Sequence, residues 1–152
     1  MSSPPPTPPG HRPLREGVAL GAVVATAIWI WLAVVDVIAG QPFRTFAVLG
    51  GVVPFTILHY LLNIAYSVAL VAAVHRAARE PSLLIGVGFV SFIIEFGFVM
   101  LAILLSHTGL GTLAWPRILG GNLVGATVTV LWLARRHRLM ALLRAEEREE
   151  EP

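Results

Sequence analysis

Three ionisable side chains, Asp36, His59 and Glu95, stand inside long apolar stretches of this chain, and two amides, Asn63 and Asn122, stand in similar stretches. A carboxyl group and an imidazole at one depth can pass a proton, pair as carboxylate and imidazolium, or anchor a polar ligand. A charged carboxylate at the centre of a membrane helix costs about 2.5–3.5 kcal/mol on insertion scales, so such groups turn toward protein and usually mark function. Either Glu95 is protonated, or it pairs with a protonated His59. The plainer alternative is that His59, Glu95, Asn63 and Asn122 bond to one another and only fix the register of the helices. Two ionisable groups at one depth are more than register requires. His59, Glu95, Asn63, Asn122 and Asp36 are therefore the expected ligand- or proton-binding set, with Asp36 near enough to the membrane interface to be hydrated.

The elements that carry them follow from composition. Of 152 residues, 56% are hydrophobic and 13% charged, against about 25% charged in soluble domains. Mean hydropathy is +0.77. A globule of this size could not hide that much apolar surface from water, so lipid is the solvent for most of the chain. The expected fold class is an all-α integral membrane four-helix bundle.

What is missing excludes whole chemistries. Every basic residue is Arg, and both Lys and Cys are absent. Without Lys there is no Schiff base and no Walker-type phosphate loop. Without Cys there is no disulfide exchange, iron–sulfur cluster, thiolate zinc site or covalent haem attachment. A nucleophile-and-base pair with recognisable spacing and a soluble domain are both lacking, so the chain does not read as an enzyme. Nor does it read as a nucleic-acid binder, because its arginines flank apolar spans, where membrane orientation explains them.

Residues 1–16 read as a disordered, proline-rich tail. A transmembrane domain over 17–138 follows, with spans at about 17–39, 46–74, 82–106 and 117–134, each long enough or nearly so to cross about 30 Å of hydrocarbon. The first is longer than a signal-peptide core and carries Asp36 where cleavage would fall, so it is expected to remain as a span. Residues 139–152 form an amphipathic to acidic tail. Arg12, Arg15, Arg76, Arg79, Arg135, Arg136, Arg138 and Arg144 fall on one side, with Arg44 and Arg117 on the other. Both termini should face the cytoplasm.

Each span contributes one polar stripe. Asp36 shares a face with Trp29 and Thr26. Thr56, His59, Asn63, Tyr66 and Ser67 share another. Glu95 aligns with Gly88 and Ser91, beside a ridge of Phe89, Phe92 and Phe96. Asn122 aligns with Gly125 and Thr129, and Gly121 with Gly125 makes a GxxxG pair. Gly121, Gly125, Gly88 and Ser91 are the expected helix-packing positions, since small residues allow close approach. The four stripes are expected to face one another inside a left-handed bundle. Counting along the helices puts His59 and Glu95 at the midplane, Asn122 about 6 Å outward and Asp36 about 12 Å outward. Pro54, after Gly50 and Gly51, is expected to kink the second span and shape an outward cavity or simply ease packing.

The favoured function is binding or permeation of a small ligand or proton at a His59–Glu95 centre. The alternative is a non-catalytic subunit or assembly factor of a larger membrane complex, with the phenylalanine ridge as a partner contact. No cofactor is expected. The remaining histidines lie at span ends or beyond, so haem at His59 would need a second copy, and a metal at His59 and Glu95 lacks any recognised ligand spacing. The lipid bilayer is the sure partner, and a homodimer through Gly121 and Gly125 is one expectation. The hairpin IWLAVVDVIAGQPFRTFAVLG, with His59, Glu95 and Gly121-Asn122, resembles a group of four-span bacterial membrane proteins without known activity. The likeness covers most of residues 17–138 and implies the four-span topology in a bacterial cytoplasmic membrane, with no mechanism attached.

Overall fold

The computed structural model describes the backbone of residues 12–77, 82–108 and 110–137. Five helices follow in chain order: α1 (Arg12–Ile38), α2 (Arg44–Val48), α3 (Val52–Ala77), α4 (Ser82–Thr108) and α5 (Ala114–His137), with a 3-10 turn at Gly111–Leu113 before α5. Among the described residues there is no strand, and the chain is an all-α bundle. Four of the helices are long and apolar enough to cross a membrane, which makes this a multi-pass membrane protein. The tail before α1 and the segment after His137 lie outside the described residues.

Helix ends follow local chemistry. α1 is already helical at Arg12, the first described residue, so helix occupies part of the stretch expected to be tail. It ends in a Schellman motif: Gly40 takes φ 67°, while its amide reaches the Val37 carbonyl at 3.0 Å and that of Gln41 reaches Asp36 at 2.9 Å. The left-handed conformation is why glycine stands there. The second expected span is broken. α2 ends in a second such motif, with Gly50 at φ 102° and the Gly51 amide on the Phe46 carbonyl at 2.7 Å. Helix α3 then begins at Val52, and Pro54 sits in its first turn. The expected kink is not formed, because a proline there initiates a helix without clashing.

α1 lies between α3 and α5, and α4 closes the ring by packing on α5 and, least closely, on α3. The α1–α3 approach is the tightest. A Cβ on Gly17 would stand 2.5 Å from the Val68 Cα, and one on Gly21 would stand 2.5 Å from the Ile64 Cα. Gly121 and Gly125 of α5 face Ile28, Leu32 and Val24 of α1, so this GxxxG pair works inside the chain and is not free for the expected contact between copies. Gly88 has open space around it. Ser91 touches α3 instead, through Tyr66, at 3.3 Å between the two hydroxyls. Two buried apolar clusters hold the ends: Ala102, Leu105, Leu110, Ala114 and Ile118 between α4 and α5, and Leu20, Val24, Val71 and Leu133 where α1, α3 and α5 meet.

Candidate functional site

Asp36 and Arg117 form a buried ion pair, 2.7 Å from Nε to Oδ1, with both side chains 0% exposed. The Asp36 carboxylate also accepts the Thr45 backbone amide at 2.7 Å and the Thr45 hydroxyl at 2.6 Å. Arg117 Nη2 donates to Gln41 Oε1 at 3.4 Å. One carboxylate thus ties together the last turn of α1, the first turn of α2 and the first turn of α5. Asp36 is at the helix end, as its position suggested, but it is fully buried rather than hydrated, and Thr45, which bonds to its carboxylate, is buried with it. Arg117, read from sequence as an orientation charge, is a buried structural residue.

His59 is held between α1 and its own helix. Nε2 lies 3.1 Å from the Ala25 carbonyl, which can only accept, so Nε2 carries the proton. Nδ1 then accepts from Asn63 Nδ2 at 3.2 Å. The same amide donates to the His59 carbonyl at 2.8 Å. The ring stacks on Phe55 with centroids 5.0 Å apart and planes at 13°. Phe55 meets Phe46 edge-on at 5.2 Å, and Phe46 meets Trp29 at 5.0 Å. An aromatic column therefore runs from the α2 hairpin inward to His59. Further along the same seam, Trp29 donates to Thr56 at 3.0 Å and the Thr26 and Tyr60 hydroxyls stand 2.8 Å apart.

Glu95 lies elsewhere. It accepts a hydrogen bond from Asn122 of α5 and is exposed on the bundle's outside. Among the described residues His59 and Glu95 form no ion pair, and each bonds to a different helix. The polar stripes thus meet in pairs at the seams, α1 with α3, α3 with α4, and α4 with α5. They do not converge on one centre. No three His, Cys, Asp or Glu side chains gather among the described residues. A haem iron or metal at His59 would have to displace the bond to Ala25 or to Asn63.

A cavity of about 380 Å³ lies between the four long helices. Its walls are mostly apolar, from Leu32 of α1, Phe55 and Leu58 of α3, Phe98 and Leu101 of α4, and Ile118 of α5. Its polar groups are His59, Asn63, Asn122 and Arg117. Glu95 does not line it. Two of its wall residues, Leu58 and Leu62, are 58% and 60% exposed, and α3 and α4 are the least closely packed neighbours. The open side therefore lies between α3 and α4, toward the surroundings of the bundle.

These features define a multi-pass helical membrane bundle with a buried ion pair at one end and a largely apolar internal cavity. Comparison with protein families, with curated proteins and with solved structures finds no match.

Proposed function

We propose that the chain is a non-enzymatic binding protein for a small membrane-soluble ligand, taken up in the cavity between α1, α3, α4 and α5. The observation that carries this reading is the cavity itself. Its volume of about 380 Å³ falls in the range of small-molecule sites, roughly 300–1,000 Å³, which are apolar with a few convergent polar groups. An opening between α3 and α4 suits a ligand that arrives from the bilayer. The proton-permeation form of the reading has less support, since His59 and Glu95 have separate partners and both ring nitrogens of His59 are engaged.

The test uses the protein in lipid nanodiscs and the carbonyl-free photolabel 3-trifluoromethyl-3-phenyldiazirine. Adducts are expected on the inward-facing Leu32 and Ile118, which are 3% and 8% exposed. Leu101→Trp should fill the cavity and remove those adducts while leaving adducts on the outward Ile85 and Phe92. Labelling confined to outward residues in the parent protein would end the reading.

Both termini are proposed to face the cytoplasm of a bacterial cell, on the arginine bias. A second reading, a subunit that associates through α4, is favoured by one observation. Glu95 is exposed at mid-helix beside exposed Phe92 and Phe96, and a carboxyl group facing lipid is costly. Because the chain has no cysteine, single substitutions address both points. Phe43→Cys and Thr112→Cys should react with an impermeant maleimide from outside the cell, and reaction from the cytoplasmic side alone would invert the topology. Phe92→Cys should give a disulfide-linked dimer only on the second reading.

A further inference from the structure

The ligand's chemistry follows from Asn63, and the inference rests on the cavity reading above. The nitrogen end of this amide is fixed. Nδ2 donates to the His59 carbonyl at 2.8 Å and to His59 Nδ1 at 3.2 Å, and both are acceptors, because Nε2 of the ring keeps its proton for the Ala25 carbonyl. Turned over, the amide would set its oxygen against two acceptors, so Oδ1 is the end left free. Oδ1 takes no hydrogen bond from the described residues, and it is not buried: among those residues, the buried side-chain atoms without a partner belong to Arg117 and Trp132. Its open side is the cavity. Around α3, Thr56 and Tyr60 bond to α1 while Tyr66 bonds to α4. At about 100° per residue, Asn63 falls between those two sides, on the inward arc that it shares with His59. Both residues line the cavity.

The rest of the wall offers little else to a polar group. The Arg117 side chain is 0% exposed, Nε2 of His59 is taken by Ala25, and the Asn122 amide donates to Glu95 on the outside of the bundle. A ligand oxygen in need of a donor is thus poorly served, whereas a ligand donor meets Asn63 Oδ1. Charge narrows the choice. Arg117, the charged residue of the wall, is already paired with Asp36 and out of reach. An ion would enter without a counter-charge, which is expensive in an apolar space. The other groups in the wall are aliphatic and aromatic, and the Phe55–His59 stack runs along one side. We infer that the cavity takes an uncharged lipophilic molecule with a hydrogen-bond donor, the hydroxyl of an alcohol or phenol. The hydroxyl donates to Asn63 Oδ1, and the apolar body extends toward the α3–α4 opening.

Two probes of nearly matched shape are compared as competitors of the diazirine label at Ile118. 4-Hydroxybiphenyl carries the donor, and its methyl ether, 4-methoxybiphenyl, keeps the oxygen without it. At equal concentration in the bilayer, the phenol should compete about fivefold better, the effect of one neutral hydrogen bond. In Asn63→Leu that advantage should vanish while the ether competes as before. A second measurement is made on the parent protein. The chain has two asparagines, Asn63 and Asn122, so selective carbon-13 labelling gives two side-chain carbonyl signals, which Asn122→Gln assigns. The phenol should move the Asn63 signal downfield, and the ether should not. Equal competition by phenol and ether would overturn the donor inference and leave the cavity reading intact. An advantage that survives in Asn63→Leu, or an Asn63 signal that the phenol leaves in place, would remove Asn63 as the anchor. Stronger competition by biphenyl-4-ylmethylammonium than by the phenol would overturn the choice of an uncharged ligand. If no label reaches Ile118 in the parent protein, the cavity reading falls and this inference with it.

Discussion

Asp36→Asn is expected to destabilise the fold by about 3–5 kcal/mol, because it strands the Arg117 guanidinium in a dry site. Arg117→Gln should cost a similar amount by stranding the carboxylate. The double variant should recover most of either loss, since removing both charges takes away the desolvation penalty along with the attraction. Strong coupling is expected because Asp36 and Arg117 are both fully buried, with 2.7 Å between the charged atoms. It is also expected because the same carboxylate holds both the amide and the hydroxyl of Thr45. Glu95→Gln offers the contrast. Its hydrogen bond to Asn122 is exposed and between uncharged or singly charged partners, and interhelical hydrogen bonds in membranes average about 0.6 kcal/mol, so that variant should lose less than about 1 kcal/mol. Reversible unfolding in mixed micelles, followed by circular dichroism, measures all four. If Asp36→Asn were no less stable than Glu95→Gln, the ion pair would not be the clasp of the α1–α2–α5 end.

The number and place of the long helices were legible because lipid enforces them: each spanning element must be a helix about 20 residues long and apolar along its length. The break before α3 was harder to read. Gly50, Gly51 and Pro54 signal a disturbance, but whether proline kinks a helix or begins one depends on where the previous turn ends. That is set by the Schellman motif at Gly50. The Asp36–Arg117 pair was within reach of the sequence. With Asn122 about 6 Å outward of the midplane, Arg117, five residues earlier, lies about 13 Å outward, the depth of Asp36. Matching depth across spans would have joined them, whereas counting Arg117 as an orientation charge set it aside. The His59–Glu95 pairing failed for a complementary reason. Equal depth is necessary for contact, but α3 presents His59 to α1, and α4 presents Glu95 to α5. Azimuth about the helix axis is decided by which neighbours pack most closely. That in turn depends on small residues at Gly17, Gly21 and Ala25, whose four-residue spacing on α1 was the unread signal for where His59 goes.

That spacing leads to the second large effect. Gly21→Ala is expected to cost about 2–3 kcal/mol, at the upper end for overpacking, although alanine is the better helix former. The added Cβ would stand 2.5 Å from the Ile64 Cα, 2.8 Å from the Asn63 carbonyl oxygen and 2.9 Å from the Ile64 amide nitrogen. All three are backbone atoms, so no side-chain rotation relieves the clash and α1 must draw back from α3. The consequence reaches the site. One turn along α1, the Ala25 carbonyl accepts from His59, and His59 lines the cavity, so a retreat of α1 weakens that bond and loosens the wall. Gly21→Ala should therefore lower the unfolding midpoint and reduce photolabelling at Ile118 together. Gly97→Ala, on α4 with nothing within 4 Å of the added atom, should change stability by no more than about 0.5 kcal/mol. Equal stability of the two alanine variants would mean that α1 and α3 do not approach at Gly21, and the placement of His59 against Ala25 would lose its support.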